Sequence, residues 1–268
     1  MSAMPPTTRT ATLPSDRVRQ GAVTVAEVLC VLGTLAGVGV IGTRVAESSG
    51  GALAADATLL APAGPAFAIW TPIYLGLAGF TVWQWLPTQA TEPRHRAIGW
   101  LAAASMVLNA AWLLVTQQGW LWASVVVMAG LVGSLGLLVR RLEEHPSYGH
   151  GETVFVDGTF GLYLGWVAVA ACANVTAALV ASGVDPGGYA AQLAAVVVLA
   201  LAAGIGVLLA RRLGGRWAVA VAMAWGFGWI AWGRFTDEPG SAAVGLAAVV
   251  AAVVVLVAAS RQHSRMHD

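Results

Sequence analysis

The stretch Pro65-Ala66-Phe67-Ala68-Ile69-Trp70-Thr71-Pro72-Ile73-Tyr74 opens a long apolar run and sets its large aromatic residues three and four positions apart. That spacing puts Phe67, Trp70 and Tyr74 on one side of a helix. A lipid-facing surface has no need of a Trp and a Tyr stacked in this way, whereas the wall of a cavity does. The run is one of eight. Apolar segments cover about residues 23–42, 66–86, 97–117, 120–139, 154–180, 189–210, 217–233 and 241–259. Each approaches the length of roughly 20 residues that crosses a hydrocarbon layer. The chain is 58% hydrophobic and 10% charged, against about 25% charged in a soluble domain. The fold class is all-α, a polytopic transmembrane helix bundle of eight spans.

The arginines orient it. All fourteen basic residues are Arg, and twelve of them fall in the N-terminal tail, the C-terminal tail and the connections on the same side; Arg44 and Arg234 lie opposite. The positive-inside rule places both termini in the cytoplasm of a multi-pass cell-membrane protein. Residues 1–22 read as a poorly ordered cytoplasmic tail and 261–268 as a second tail. The longest connection, 44–65, lies on the outer face. Pro72, inside the second span, is expected to kink it. The net charge of +1 gives no reason to expect nucleic acid. Cys30 and Cys172 sit within apolar runs and read as small buried hydrophobes.

Three spans carry stripes of polar and aromatic residues. The second has Phe67, Trp70, Tyr74, Thr81 and Trp85; the third Ser105, Asn109, Trp112 and Thr116; the fifth Tyr163, Trp166, Ala170 and Asn174. An Asn in hydrocarbon is costly without a partner, so Asn109 and Asn174 face the bundle interior. Interhelical hydrogen bonding accounts for one such Asn. Three stripes combining Asn, Trp and Tyr describe a site for a flat, largely apolar ligand. Trp225, Trp229 and Trp232 share a face of the seventh span and read as packing residues, and Trp83 reads as lipid-facing. Gly33 with Gly37, and Gly161 with Gly165, have the spacing of close helix contacts or of chance in a chain with 32 Gly. Glu27 and Asp157 read as helix-end charges, each one turn into its span. His145 and His150 share a loop with Glu143, Glu144 and Glu152 without tight metal-ligand spacing, so no metal site is assigned. No nucleophile–base arrangement points to catalysis, so no catalytic residue is assigned.

These stripes resemble the TspO/MBR family, the tryptophan-rich sensory proteins related to the mitochondrial translocator protein (peripheral benzodiazepine receptor). The fifth span's Tyr163-x-x-Trp166-x-x-x-Ala170-x-x-x-Asn174 has the spacing of the family's last-helix motif. Leu108-Asn109-x-x-Trp112 looks like its Leu-Asn-x-x-Trp element, and Trp70-Thr71-x-x-Tyr74 resembles its second-helix motif. The chain departs from the pattern in the Phe67–Trp70 spacing, in Leu162 where the family usually has Pro, and in three additional helices. The resemblance implies a five-helix core over 23–181, and the sequence adds a three-helix extension over 186–260. It implies a pocket between helices beneath the first connection that binds a porphyrin, haem or another tetrapyrrole, or a sterol-like molecule, with no cofactor required. Trp70, Tyr74, Asn109, Trp112, Tyr163, Trp166, Ala170 and Asn174 carry over as pocket residues, and helical spacing adds Phe67. The planar ligand is expected to stack on Trp70 and Trp166, with Asn109 and Asn174 at its polar edge. Light-dependent porphyrin breakdown, a role of some family members, and a homodimer are further expectations the resemblance allows. The alternatives are a transporter for such a ligand, or an assembly partner in the bilayer without one.

Overall fold

A computed structural model describes residues 12–41, 43–147 and 149–265. The N-terminal part of the first tail, and the end of the second, lie outside the described residues. Eight long helices account for the eight apolar runs: α1 Pro14–Gly37, α2 Gly64–Trp83, α3 Pro93–Gln117, α4 Leu121–Glu144, α5 His150–Ala181, α6 Gly188–Arg212, α7 Trp217–Thr236 and α8 Ala242–Arg265. Among the described residues no strand occurs. Seven of the eight are long and apolar enough to cross a membrane. The exception is α7, where four Trp, three Gly and Arg234 lower the hydropathy.

The first five helices form a ring. α1 packs on α3, α3 on α4 and α4 on α5, while α2 closes the circle between α5 and α1. The remaining three stack outward, α7 on α5, α8 on α7 and α6 on α8. Small residues set two close crossings. A Cβ on Gly33 would lie 2.9 Å from the Ala110 backbone, and one on Gly165 would lie 2.3 Å from the Val219 carbonyl oxygen. Both glycine pairs read from the sequence therefore serve close helix approach, α1 to α3 and α5 to α7. The Gly165 contact is with backbone, which cannot rotate away. Gly165→Ala is expected to lower stability by about 1–3 kcal/mol, measurable as a drop in Tm in detergent.

Three expectations need correction. The helix that was to begin near residue 23 begins at Pro14, with Pro at its first position and the Leu13 N–H donating to Asp16 Oδ2 at 3.0 Å. Residues 14–22 are thus helix rather than loose tail. They are held by distant partners: Arg96 pairs with Asp16 at 2.6 Å, Arg19 donates to the Ala90 carbonyl at 2.9 Å, and Gln20 donates to the Gln84 carbonyl at 2.5 Å. Pro72 does not interrupt a helix interior. Gly64–Ile69 is a tight 3₁₀ segment and the α-helical part starts at Trp70, so Pro72 occupies the first α turn, where proline is tolerated. Trp83 stacks on Phe155, centroids 6.1 Å apart, and lies against Gly151 of α5 instead of facing only lipid.

The end of the bundle rich in Arg is tied by ion pairs. Asp157 accepts from Arg94 at 2.5 Å and from Arg216, while Glu152 and Glu143 take the second donors of the same two guanidinium groups at 3.3 and 3.0 Å. Asp157 stands on a π-helical segment, Thr153–Gly158, at the start of α5. A widened turn there brings its carboxylate to α3 and to the α6–α7 connection at once.

Candidate functional site: an aromatic wall beneath the first connection

The 3₁₀ start of α2 presents Phe67 to α5, and the first α turn presents Trp70. Trp70 stacks on Tyr74 one turn along, centroids 5.0 Å apart and planes 15° apart. Its edge meets Tyr163 at 5.7 Å and Trp166 at 6.3 Å, and Phe67 meets Trp166 at 5.6 Å, all near perpendicular. The second and fifth stripes therefore face one another as one aromatic wall. Trp166 is 1% exposed. Edge-to-face packing of this kind fixes ring orientation as well as burying area.

The third stripe meets the wall from α3. Asn109 Nδ2 donates to Tyr74 Oη at 3.1 Å and to Cys30 Sγ at 3.5 Å. The Tyr163 hydroxyl donates to the Ser105 carbonyl at 3.3 Å. Asn174 does not reach the wall's polar edge in the same way; its Nδ2 donates to Ser124 Oγ of α4 at 3.0 Å. Each Asn has the interior partner that hydrocarbon burial demands.

Two spaces adjoin the wall. A small inner cavity, about 60 Å³, is lined by Phe67, Trp112, Trp166, Ala170 and Asn174, with Leu53 and Thr58 of the first connection above them. A larger cleft, about 440 Å³, opens between α1, α2 and α3 and is lined by Phe67, Trp70, Tyr74 and Trp112, with Thr34 and Arg44. Val45, Leu53, Phe67 and Trp112 border both. Seven of the nine residues expected from the sequence thus line one space or the other. Asn109 and Tyr163 line neither, and act from behind by holding Tyr74 and by backing Trp70. The indole N–H groups of Trp112 and Trp166, two residues that line the inner cavity, are buried without an acceptor. One expected arrangement does not occur: the planes of Trp70 and Trp166 stand 86° apart, so one flat molecule cannot stack on both. Thr81 and Trp85, placed on the same stripe by spacing, lie outside both spaces, and Trp85 donates to Thr24 Oγ1 at 3.0 Å.

The roof was only partly anticipated. The first connection was expected to cover the site, but the means of fixing it was not. Ser49 Oγ donates to the Thr116 carbonyl at 2.7 Å at the end of α3. Arg234 of α7, 2% exposed, donates to the carbonyls of Thr58, Ala55 and Pro239 at 3.1, 3.3 and 2.8 Å. Trp225 Nε1 donates to the Ala66 carbonyl at 2.8 Å, and the Ala63 N–H donates to the Trp229 carbonyl. The seventh-span Trp face is thus a clamp on the mouth of α2. A lone Arg beside a Trp-rich face on the arginine-poor side was the only sequence signal for it.

Among the described residues no group of three His, Cys, Asp or Glu side chains is placed to hold a metal. Comparison with curated proteins and with solved structures returns no match. A family model described as TSPO-like protein matches residues 23–261, a span that takes in α2 to α7 and most of α1 and α8. With an aromatic wall on α2 and α5, backed by α3 within a five-helix ring, and a match over most of its length, the chain belongs to the TSPO-like protein family.

Proposed function

We propose that this membrane protein binds a tetrapyrrole or a similar flat, hydrophobic molecule in the cleft beneath the first connection, and acts as a sensory or translocator-like protein in the cell membrane with both termini in the cytoplasm. The observation that carries this reading is the aromatic wall of Phe67, Trp70, Tyr74 and Trp112 bordering a cleft of about 440 Å³, within the roughly 300–1,000 Å³ typical of small-molecule sites. The ligand lies against the Trp70–Tyr74 stack, with Trp166 edge-on beyond it and Arg44 at the outer rim. A carboxylate-bearing porphyrin would find in Arg44 a cation suited to its acidic edge. The inner cavity is too small for a macrocycle. Moving Leu53 and Phe67 would join it to the cleft, and the two unpaired indole N–H groups would then face the ligand.

Titrating the purified protein with protoporphyrin and following Trp fluorescence tests this. Saturable quenching is expected, and the double variant Trp70→Phe, Trp166→Phe is expected to bind about tenfold or more weakly, a loss of roughly 1.4 kcal/mol or more. Equal affinity in the double variant, read by absorbance of the bound porphyrin, would remove this site from consideration.

A further inference from the structure

Glu27 lies deeper than its distance from the start of the apolar run suggests. α1 begins at Pro14, so Glu27 stands in the middle of a 24-residue helix. Its level can be read from its neighbour. Gly99 of α3 faces Arg19, Gly33 faces Ala110, and Gly37 faces Leu113. These contacts bracket Glu27 to the level of Ser105, halfway along α3 Pro93–Gln117. The residue is 7% exposed and its Oε2 has no hydrogen-bond partner.

Among the described residues no positive group pairs with it. The basic residues of the neighbouring segments are engaged at the helix ends: Arg19 and Arg96 with Asp16, Arg94 with Glu152 and Asp157, and Arg17 with Gln20 Oε1 at 3.2 Å and the face of Trp85. Cys30 on α1, Tyr74 on α2 and Tyr163 on α5 lie in electrostatic reach of Glu27. From α3 the polar groups at this depth are Ser105 and Asn109, both neutral. An isolated charge in such surroundings is costly, so something must cancel it, and ionisable groups inside membrane bundles commonly mark ion or proton pathways. Within the bundle a proton is the counter-charge available.

We propose that Glu27 is an intramembrane proton-binding site, coupled to the aromatic cleft through Cys30, Asn109 and Tyr74. Glu27 and Cys30 are one turn apart on α1. Asn109 Nδ2 bridges Cys30 Sγ and Tyr74 Oη, and Tyr74 lines the cleft. The carboxylate takes a proton from water to become the neutral acid and returns it to water on release; no other bond changes. A ligand carrying negative charge against Tyr74 is disfavoured by the carboxylate and favoured by the acid. Binding of an anionic porphyrin therefore draws a proton onto Glu27, and by linkage the affinity rises as pH falls. The coupling rests on the cleft being the ligand site; the proton site does not.

Two measurements on the full chain in nanodiscs test the two parts separately. Infrared difference spectra of the ligand-free protein across a pH titration should contain a carboxylic-acid C=O band that Glu27→Gln removes and Glu27→Asp shifts. If neither variant alters the carboxyl bands, the proton site is overturned. Protoporphyrin affinity should then tighten about threefold or more from pH 8 to pH 6 in the wild type relative to Glu27→Gln, the comparison cancelling the porphyrin's own titration. Parallel pH profiles overturn the coupling. Absence of porphyrin binding to either protein overturns the coupling together with the proposed ligand, while the carboxyl band still decides the proton site.

Discussion

Asp157→Ala is expected to cost about 3 kcal/mol of stability or more, because breaking a buried ion pair from one side leaves the other charge desolvated and unanswered. Its Oδ1 receives Arg94 and Arg216, while Oδ2 has no partner. One oxygen thus joins α3, α5 and the α6–α7 connection, and through Glu143 the end of α4 as well. The Arg94 side chain is only 2% exposed, so it has little recourse to water. Arg94 keeps Glu152 and Arg216 keeps Glu143, which limits the loss and keeps the variant measurable. Asp157→Asn, which keeps an oxygen acceptor but not the charge, should fall between Ala and wild type. Thermal unfolding in detergent ranks the three. If Ala and Asn match the wild type, the ion network is not what joins the five-helix ring to the outer helices.

The eight helices were legible because bilayer burial writes its requirement locally, as runs of about 20 apolar residues. The polar start of α1 was not, because its partners are far along the chain. Asp16, Arg19 and Gln20 look like tail until Arg96, the Ala90 carbonyl and Gln84 are brought beside them. The same boundary sets the depth of Glu27: counting from residue 23 puts it one turn in, and counting from Pro14 puts it at mid-bundle. The wall was legible as stripes, because helical spacing alone decides which side chains share a face. What spacing cannot give is orientation across helices. Trp70 and Trp166 do meet, but at right angles, and Asn174 turns to Ser124 rather than to the wall. Trp83 differs from its sequence reading for a similar reason. Its side of α2 was expected to meet lipid, and the π-helical start of α5 carries Phe155 there instead.

The roof of the site should depend on one side chain remote in sequence. Arg234 holds the carbonyls of Ala55, Thr58 and Pro239, and two of the three belong to the connection over the cleft. Arg234→Ala leaves three backbone acceptors without their donor. At about 1–3 kcal/mol for each unsatisfied buried group, less what water entering the gap restores, a net loss of about 3 kcal/mol is expected. Arg234→Lys retains charge but not the planar fork that reaches several acceptors at once, so it should recover only part of the loss. Stability alone would not separate a latch from a general packing defect; the location of the damage does. Hydrogen exchange should rise first over residues 52–63, with α3 and α4 protected as before, because local opening follows the loss of local bonds. Porphyrin should also leave faster from the variant than from the wild type, since Leu53 and Val45 of the same connection border the cleft. Exchange that rises uniformly over all eight helices, with unchanged release, would mean that Arg234 supports the fold as a whole and that the outer helices do not control the roof.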